Sequence, residues 1–154
     1  MSVALDVNVL VYASQPENRL NAAALKLLSG LTAGPELLCL TWPVLSGYIR
    51  VITNTGIFPD ALSTAEAVTN VNALLRRPRT RVLTEQDGFF EIYGALLTEH
   101  RARGNLVPDV HLAALLRQHG VRTLYTHDRD FRRFDFLDVR DPFQGSGVGG
   151  QGSG

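Results

Sequence analysis

The sequence predicts an α/β fold, a three-layer α/β/α sandwich with a central, mainly parallel sheet. Three observations lead there. Short apolar runs of strand length recur at residues 3–6, 37–40, 81–83, 121–125 and 137–139. Between them lie longer segments with apolar residues every three or four positions, the period of a helix with one buried face. Strands that alternate with helices in this way form a parallel sheet covered on both faces.

Each element has its own signal. Residues 3–6 read as a buried first strand that ends on the charge of Asp6. Leu20, Ala23, Ala24, Leu27, Leu28 and Leu31 set a helix over about 19–31, which Gly34 and Pro35 break. After the 37–40 strand, Pro43 opens a helix carrying Val44, Leu45, Tyr48, Ile49 and Ile52. Ser63 or Thr64 caps the next, through Val68, Val71, Leu74 and Leu75, and Pro78 ends it. Helical spacing resumes at Phe89, Ile92, Tyr93, Leu96 and Leu97. Pro108 starts a last helix that Gly120 closes, the expected order of proline at the start and glycine after the end.

The 154 residues suit one domain, spanning 1–143. Residues 144–154 are rich in Gly and Ser and read as a flexible tail. The net charge is zero, so no global field draws in nucleic acid, and any such contact must come from local patches. The single cysteine, Cys39, excludes an internal disulfide and sits in an apolar run as a small hydrophobe. The start of the chain lacks the basic region of a signal peptide, and no apolar run approaches membrane-spanning length. A cytoplasmic protein with no membrane contact is therefore expected.

Three segments bring acids to one sheet edge, the carboxyl ends of the strands, where ligands of such sheets gather. Asp6 ends the first strand, Asp128 and Asp130 follow the fourth, and Asp109 lies in the first turn of the last helix. Unpaired carboxylates in a cluster repel one another, so a cation must enter or some must protonate. An all-oxygen set suits a hard divalent ion, Mg2+ or Mn2+, which can activate water for phosphoryl displacement. Each acid also has a plain structural reading, as a helix cap or a turn residue. For Asp6, the absence of a polar turn in LDVNVLVYA speaks against a cap.

These segments resemble the motifs of PIN-domain nucleases. LDVNVLVYA is similar to the family's opening strand and Asp, NLVPDVHLAALLRQHG to its third-acid helix, and TLYTHDRDFRRF to its closing strand and Thr-x-Asp. Their length and style are most similar to VapC-type toxins of toxin–antitoxin pairs, particularly a mycobacterial-like branch. The resemblance implies an endoribonuclease with Asp6, Asp109 and Asp128 as metal ligands and Asp130 as a helper or water-positioning acid. It implies that Asn8 and Thr126 hydrogen-bond into the site, and that a cognate antitoxin and a second copy of the chain are partners. One departure stands out. Ser46 and Gly47 occupy the place where the family often carries a Glu, while Arg50 is retained. That gap supports an alternative, a non-catalytic PIN-like module that holds RNA or protein. A response-regulator type of phosphate chemistry is disfavoured, because Lys26 is the sole lysine.

Basic residues cluster at Arg76, Arg77, Arg79 and Arg81, at Arg101 and Arg103, and at Arg129, Arg132 and Arg133. The first two groups read as solvated surface. The third abuts Asp128, where an RNA backbone would pass. Trp42 and Tyr48 could stack a base, but core packing is the expectation for both. The four histidines lack a compact zinc pattern, and His127 is expected as an exposed turn residue.

Overall fold

The computed structural model describes residues 1–143; the expected Gly/Ser tail at 144–154 lies outside the described residues. Five strands are present: β1 (Ser2–Leu5), β2 (Leu37–Thr41), β3 (Thr80–Leu83), β4 (Thr123–Tyr125) and β5 (Asp138–Arg140). Six helices join them: α1 (Val7–Ala13), α2 (Asn21–Ala33), α3 (Trp42–Ile52), α4 (Thr64–Leu75), α5 (Phe89–Glu99) and α6 (Leu106–Gln118). A short 3-10 turn, Arg129–Arg133, precedes β5.

All neighbouring strands pair in parallel, in the order β3-β2-β1-β4-β5. The chain builds outward from β1 through β2 to β3, then returns to the other side of β1 with β4. The switch point therefore lies between β1 and β4, and a crevice opens beyond their carboxyl ends. β1 and β2 are almost fully apolar and buried, as a strand covered on both faces must be. The core joins Leu5, Leu38, Leu40, Leu45, Leu116 and Leu124 with Phe131 and Phe134.

Several local signals act as read. Ser63 and Glu66 form a reciprocal capping box at the start of α4, with Ser63 Oγ accepting from the Glu66 N–H at 3.1 Å and Glu66 Oε1 accepting from the Ser63 N–H at 2.9 Å. Gly120 ends α6 at φ +70°, a conformation that a Cβ would strain. Cys39 is buried.

Other features differ from the sequence reading. Residues 7–13 form a helix that the pattern does not reveal, because Val7, Val9 and Val11 alternate like a strand. Tertiary packing overrides that preference: Val9, Leu10 and Val11 are buried, and α1 rests against α2 and α3. α6 begins at Leu106, two residues before Pro108. The proline still falls within the first turn, where its missing N–H has no partner to lose. Tyr48 is buried at 2 % exposure, but Trp42 is 51 % exposed, so the core assignment of Trp42 is incorrect. As the first residue of α3, it lies beyond the end of β2, where no neighbouring strand covers it.

Gly47 is where α3 meets α1. A Cβ built there would stand 3.0 Å from Val7 Cγ2. A side chain at this position would require the Val7 methyl to yield by a few tenths of an ångström, one residue from the Asp6 cap. Gly47→Val is expected to cost about 1–3 kcal/mol through overpacking. Urea unfolding measures it, and an unchanged midpoint would mean that α1 yields freely.

Candidate functional site

The site begins with the end of β1. Asp6 is extended, and its N–H donates to the Tyr125 carbonyl of β4 at 3.1 Å, so the pairing of the two strands continues to this residue. The backbone then turns into α1. Asp6 Oδ1 accepts from the Val7 N–H at 2.7 Å, which makes Asp6 the cap of that helix. The cap reading set aside on sequence grounds is thus realised, and it coexists with a place in the acidic cluster.

Thr126, one residue past β4, is the node of the site. Its side chain is buried at 1 % exposure. The hydroxyl donates to Asp6 Oδ2 at 2.8 Å and accepts from Asn8 Nδ2 at 3.3 Å and from the Asp128 N–H at 3.0 Å. One donor and two lone pairs are all used. Asn8 also lies 3.5 Å from Asp6 Oδ2 through Nδ2, and its Oδ1 accepts from the His127 N–H at 3.2 Å. Asp128 Oδ1 in turn accepts from the Asp130 N–H at 2.9 Å, capping the 3-10 turn.

Asp109 enters from the first turn of α6. Oxygens of Asp109, Asp128 and Asp130 all lie within 4.8 Å of one another. Asp130, read from the sequence as a helper, therefore belongs to the tightest group, while Asp6 stands beside it with both oxygens engaged by Val7 and Thr126. The four carboxylates sense each other. Burial first, then the charges of Asp128, Asp6 and Asp130, push Asp109 up to about 7, against a smaller lowering by Arg133. Burial also raises Asp6, opposed by its bonds from Thr126 and Val7, with Asp128 adding to the rise.

Among the described residues no cation pairs with these acids within ion-pair distance. The donor set fits a hard divalent ion. Oxygens sharing one such ion at roughly 2.1 Å lie up to about 4.2 Å apart, so the group needs only a small contraction. Histidine contributes nothing to it: His111 bonds Glu85 at 2.7 Å and His127 bonds Asp141 at 3.0 Å. The exposed His127 ring also meets Tyr12 and Phe143 edge to face. Arg129 is exposed on the 3-10 turn, and Arg133 donates from Nε to the Asp130 carbonyl at 3.1 Å. Arg50 is exposed in the last turn of α3 and has no hydrogen bond or ion pair to any of the four acids. α3 itself contains no acid. Arg133 stood in the sequence only as one of three clustered arginines; its link to Asp130 and Asp109 comes from the turn.

The PIN domain profile matches residues 3–137. Ribonuclease VapC48 of Mycobacterium tuberculosis is 42 % identical over 145 residues, covering 94 % of this chain and all of that protein. Ribonuclease VapC43 of the same organism is 37 % identical over 141 residues, covering 92 % of this chain and 95 % of the relative. Among solved structures, M. tuberculosis VapC20, a Sarcin-Ricin loop cleaving toxin, superposes with a TM-score of 0.68 at 19 % identity, over 90 % of this chain and 99 % of that one. VapBC2 from Rickettsia felis, bound to a DNA fragment from its promoter, gives 0.67 at 19 % identity, over 91 % of this chain and 98 % of that one.

Two outcomes test the site's physics. Thr126→Val leaves the shape but removes a donor to Asp6 and an acceptor for two N–H groups, and is expected to destabilise by about 1–3 kcal/mol, while Thr126→Ser stays within about 1 kcal/mol. Equal losses in urea unfolding would mean that the methyl group, not the hydroxyl, matters. The raised Asp109 sets a pH dependence. Between its ordinary value of 3.8 and about 7, the folded chain holds a proton that the unfolded chain has released. Stability of the metal-free protein should therefore fall as pH rises through that window and level off above it. Asp109→Asn should flatten the slope, and a slope unchanged in this variant would place the proton elsewhere.

Proposed function

Because the chain belongs to the PIN-domain family, we infer that it is an endoribonuclease, the VapC-type toxin of a toxin–antitoxin pair. The observation that carries this reading is the convergence of Asp6, Asp109, Asp128 and Asp130 from separate segments onto the switch point of the sheet.

In this reading Asp6, Asp109 and Asp128 hold Mg2+ or Mn2+, with Asp130 against them. Bound there, the ion supplies a Lewis acid that lowers the pKa of water and offsets charge on the phosphoryl oxygens. The protein's own part is positional. Thr126 fixes the Asp6 carboxylate through its hydroxyl and the Asp128 backbone through its lone pair. Asn8 ties the same two segments together. Asp109, which holds a proton near neutral pH, must release it before it can act as a ligand. Arg129 and Arg133, on the turn that carries Asp130, would draw an RNA phosphate toward the acids. Arg50 is left without a direct role.

The antitoxin has a place to dock. An open groove of about 560 Å³ runs between α1, α2 and α4, lined by Leu10, Leu25, Leu28, Leu62 and Leu74 with Tyr48 at its polar floor. An amphipathic partner segment suits such a groove. A homodimer and a cytoplasmic location, where RNA is at hand, complete the reading. No helix among the described residues is long and apolar enough to cross a membrane.

The acid-free α3 favours a second reading, a module that binds RNA without cutting it. Incubation of RNA with the wild type and with Asp6→Asn or Asp109→Asn, in EDTA, Mg2+ or Mn2+, separates the two. Cleavage should require the metal and fall by at least about 100-fold in either variant, the scale on which losing electrostatic stabilisation of the transition state is felt. Binding without cleavage by the wild type in both metals would favour the module.

A further inference from the structure

We propose that Trp42 is a base-binding platform beside the acidic site, stacking on a nucleobase next to the phosphate under attack. This rests on the nuclease reading and adds the residue that holds the nucleotide.

Position is the first argument. Ala4 pairs with Cys39 in the β1–β2 register. β1 ends at Leu5, one residue before Asp6, and the parallel neighbour β2 ends at Thr41, so Asp6 and Thr41 lie at the same edge of the sheet. Trp42 is the next residue, so its backbone leaves the sheet at the edge that carries Asp6, on the neighbouring strand. Exposure is the second. The residue is half exposed, and its indole N–H donates to no partner among the described residues. Tryptophan is ordinarily among the most buried side chains on average. Other large apolar groups on the surface lie elsewhere: Leu25 lines the groove between the helices, and Phe90 packs on Tyr93 along α5.

Rigidity is the third. The Thr41 hydroxyl accepts from the Val44 N–H at 3.3 Å, Pro43 fixes φ in the first turn of α3, and that helix approaches Val7 closely at Gly47. A flat, preorganised ring loses little freedom when a base stacks on it. Every base offers a π-face, so the contact is tolerant of sequence. With net charge zero, the chain lacks a general attraction for RNA and depends more on such contacts.

Trp42 is the only tryptophan, so its emission reports the contact directly. A short dye-labelled single-stranded RNA is titrated into full-length Asp128→Asn protein with Mg2+, following dye anisotropy and tryptophan emission together. The emission should change along the same binding curve as the anisotropy. In the cleavage-competent protein, Trp42→Ala should raise KM on the order of tenfold with kcat changed less, and Trp42→Phe should restore most of the loss. Unchanged melting of Trp42→Ala would show that the effect is not one of folding.

RNA that binds and is cut while emission and KM stay unmoved overturns this proposal and leaves the nuclease reading intact. Emission that responds to protein dilution but not to RNA assigns the indole to a protein interface, and also overturns it. RNA that neither binds nor is cut by the wild type removes the nuclease reading itself.

Discussion

One buried hydroxyl holds the carboxyl edge of the sheet together. Thr126 bonds an acid at the end of β1, an amide in the first turn of α1 and the backbone that leads to Asp128. These groups are 118 to 120 residues apart in the chain for the first two contacts. They meet because β4 pairs with β1 and not with the strand before it. The order of strands is thus what allows a threonine to join the two halves of a site, and a saturated hydroxyl has no freedom to settle in a second arrangement.

Around that node the structure accumulates like charge. Four carboxylates share a crevice that has no neutralising side chain within ion-pair distance among the described residues, and Asp109 responds by keeping its proton to near-neutral pH. Such a site lowers the stability of the metal-free chain, and the remaining core must offset it. Phe131 within the turn and Phe134 at its end are only 1 % exposed, and they anchor the segment whose acids repel. Apolar burial immediately behind Asp128 and Asp130 fixes the backbone that carries them.

The first turn of α1 joins packing to chemistry. Asp6 caps it, Val7 presses on Gly47, and Asn8 reaches back to Thr126. A side chain at position 47 would push on Val7 and so on the acid beside it. Position 47 is committed to close contact between two helices, and the charge of the site comes from the end of β1, α6 and the turn after β4.

The sequence by itself determined the fold class, most of the elements and the identity of the four acids. Those are legible because they are local: apolar runs of strand length, helical spacing, Ser63 with Glu66, Gly120, and acids at the ends of apolar segments. What remained hidden was decided by contacts between distant residues. Residues 7–13 alternate like a strand and became a helix once Asp6 capped them and α2 and α3 buried them. Trp42 has the composition of a core residue, but the end of β2 leaves it without a neighbour to cover it. The inclusion of Asp130 in the tight group, the link from Arg133 and the saturation of Thr126 all depend on where the turn after β4 lies against α6. A periodic pattern records which face of an element is buried, but not which element lies opposite, and the chemistry of this site is set by what lies opposite.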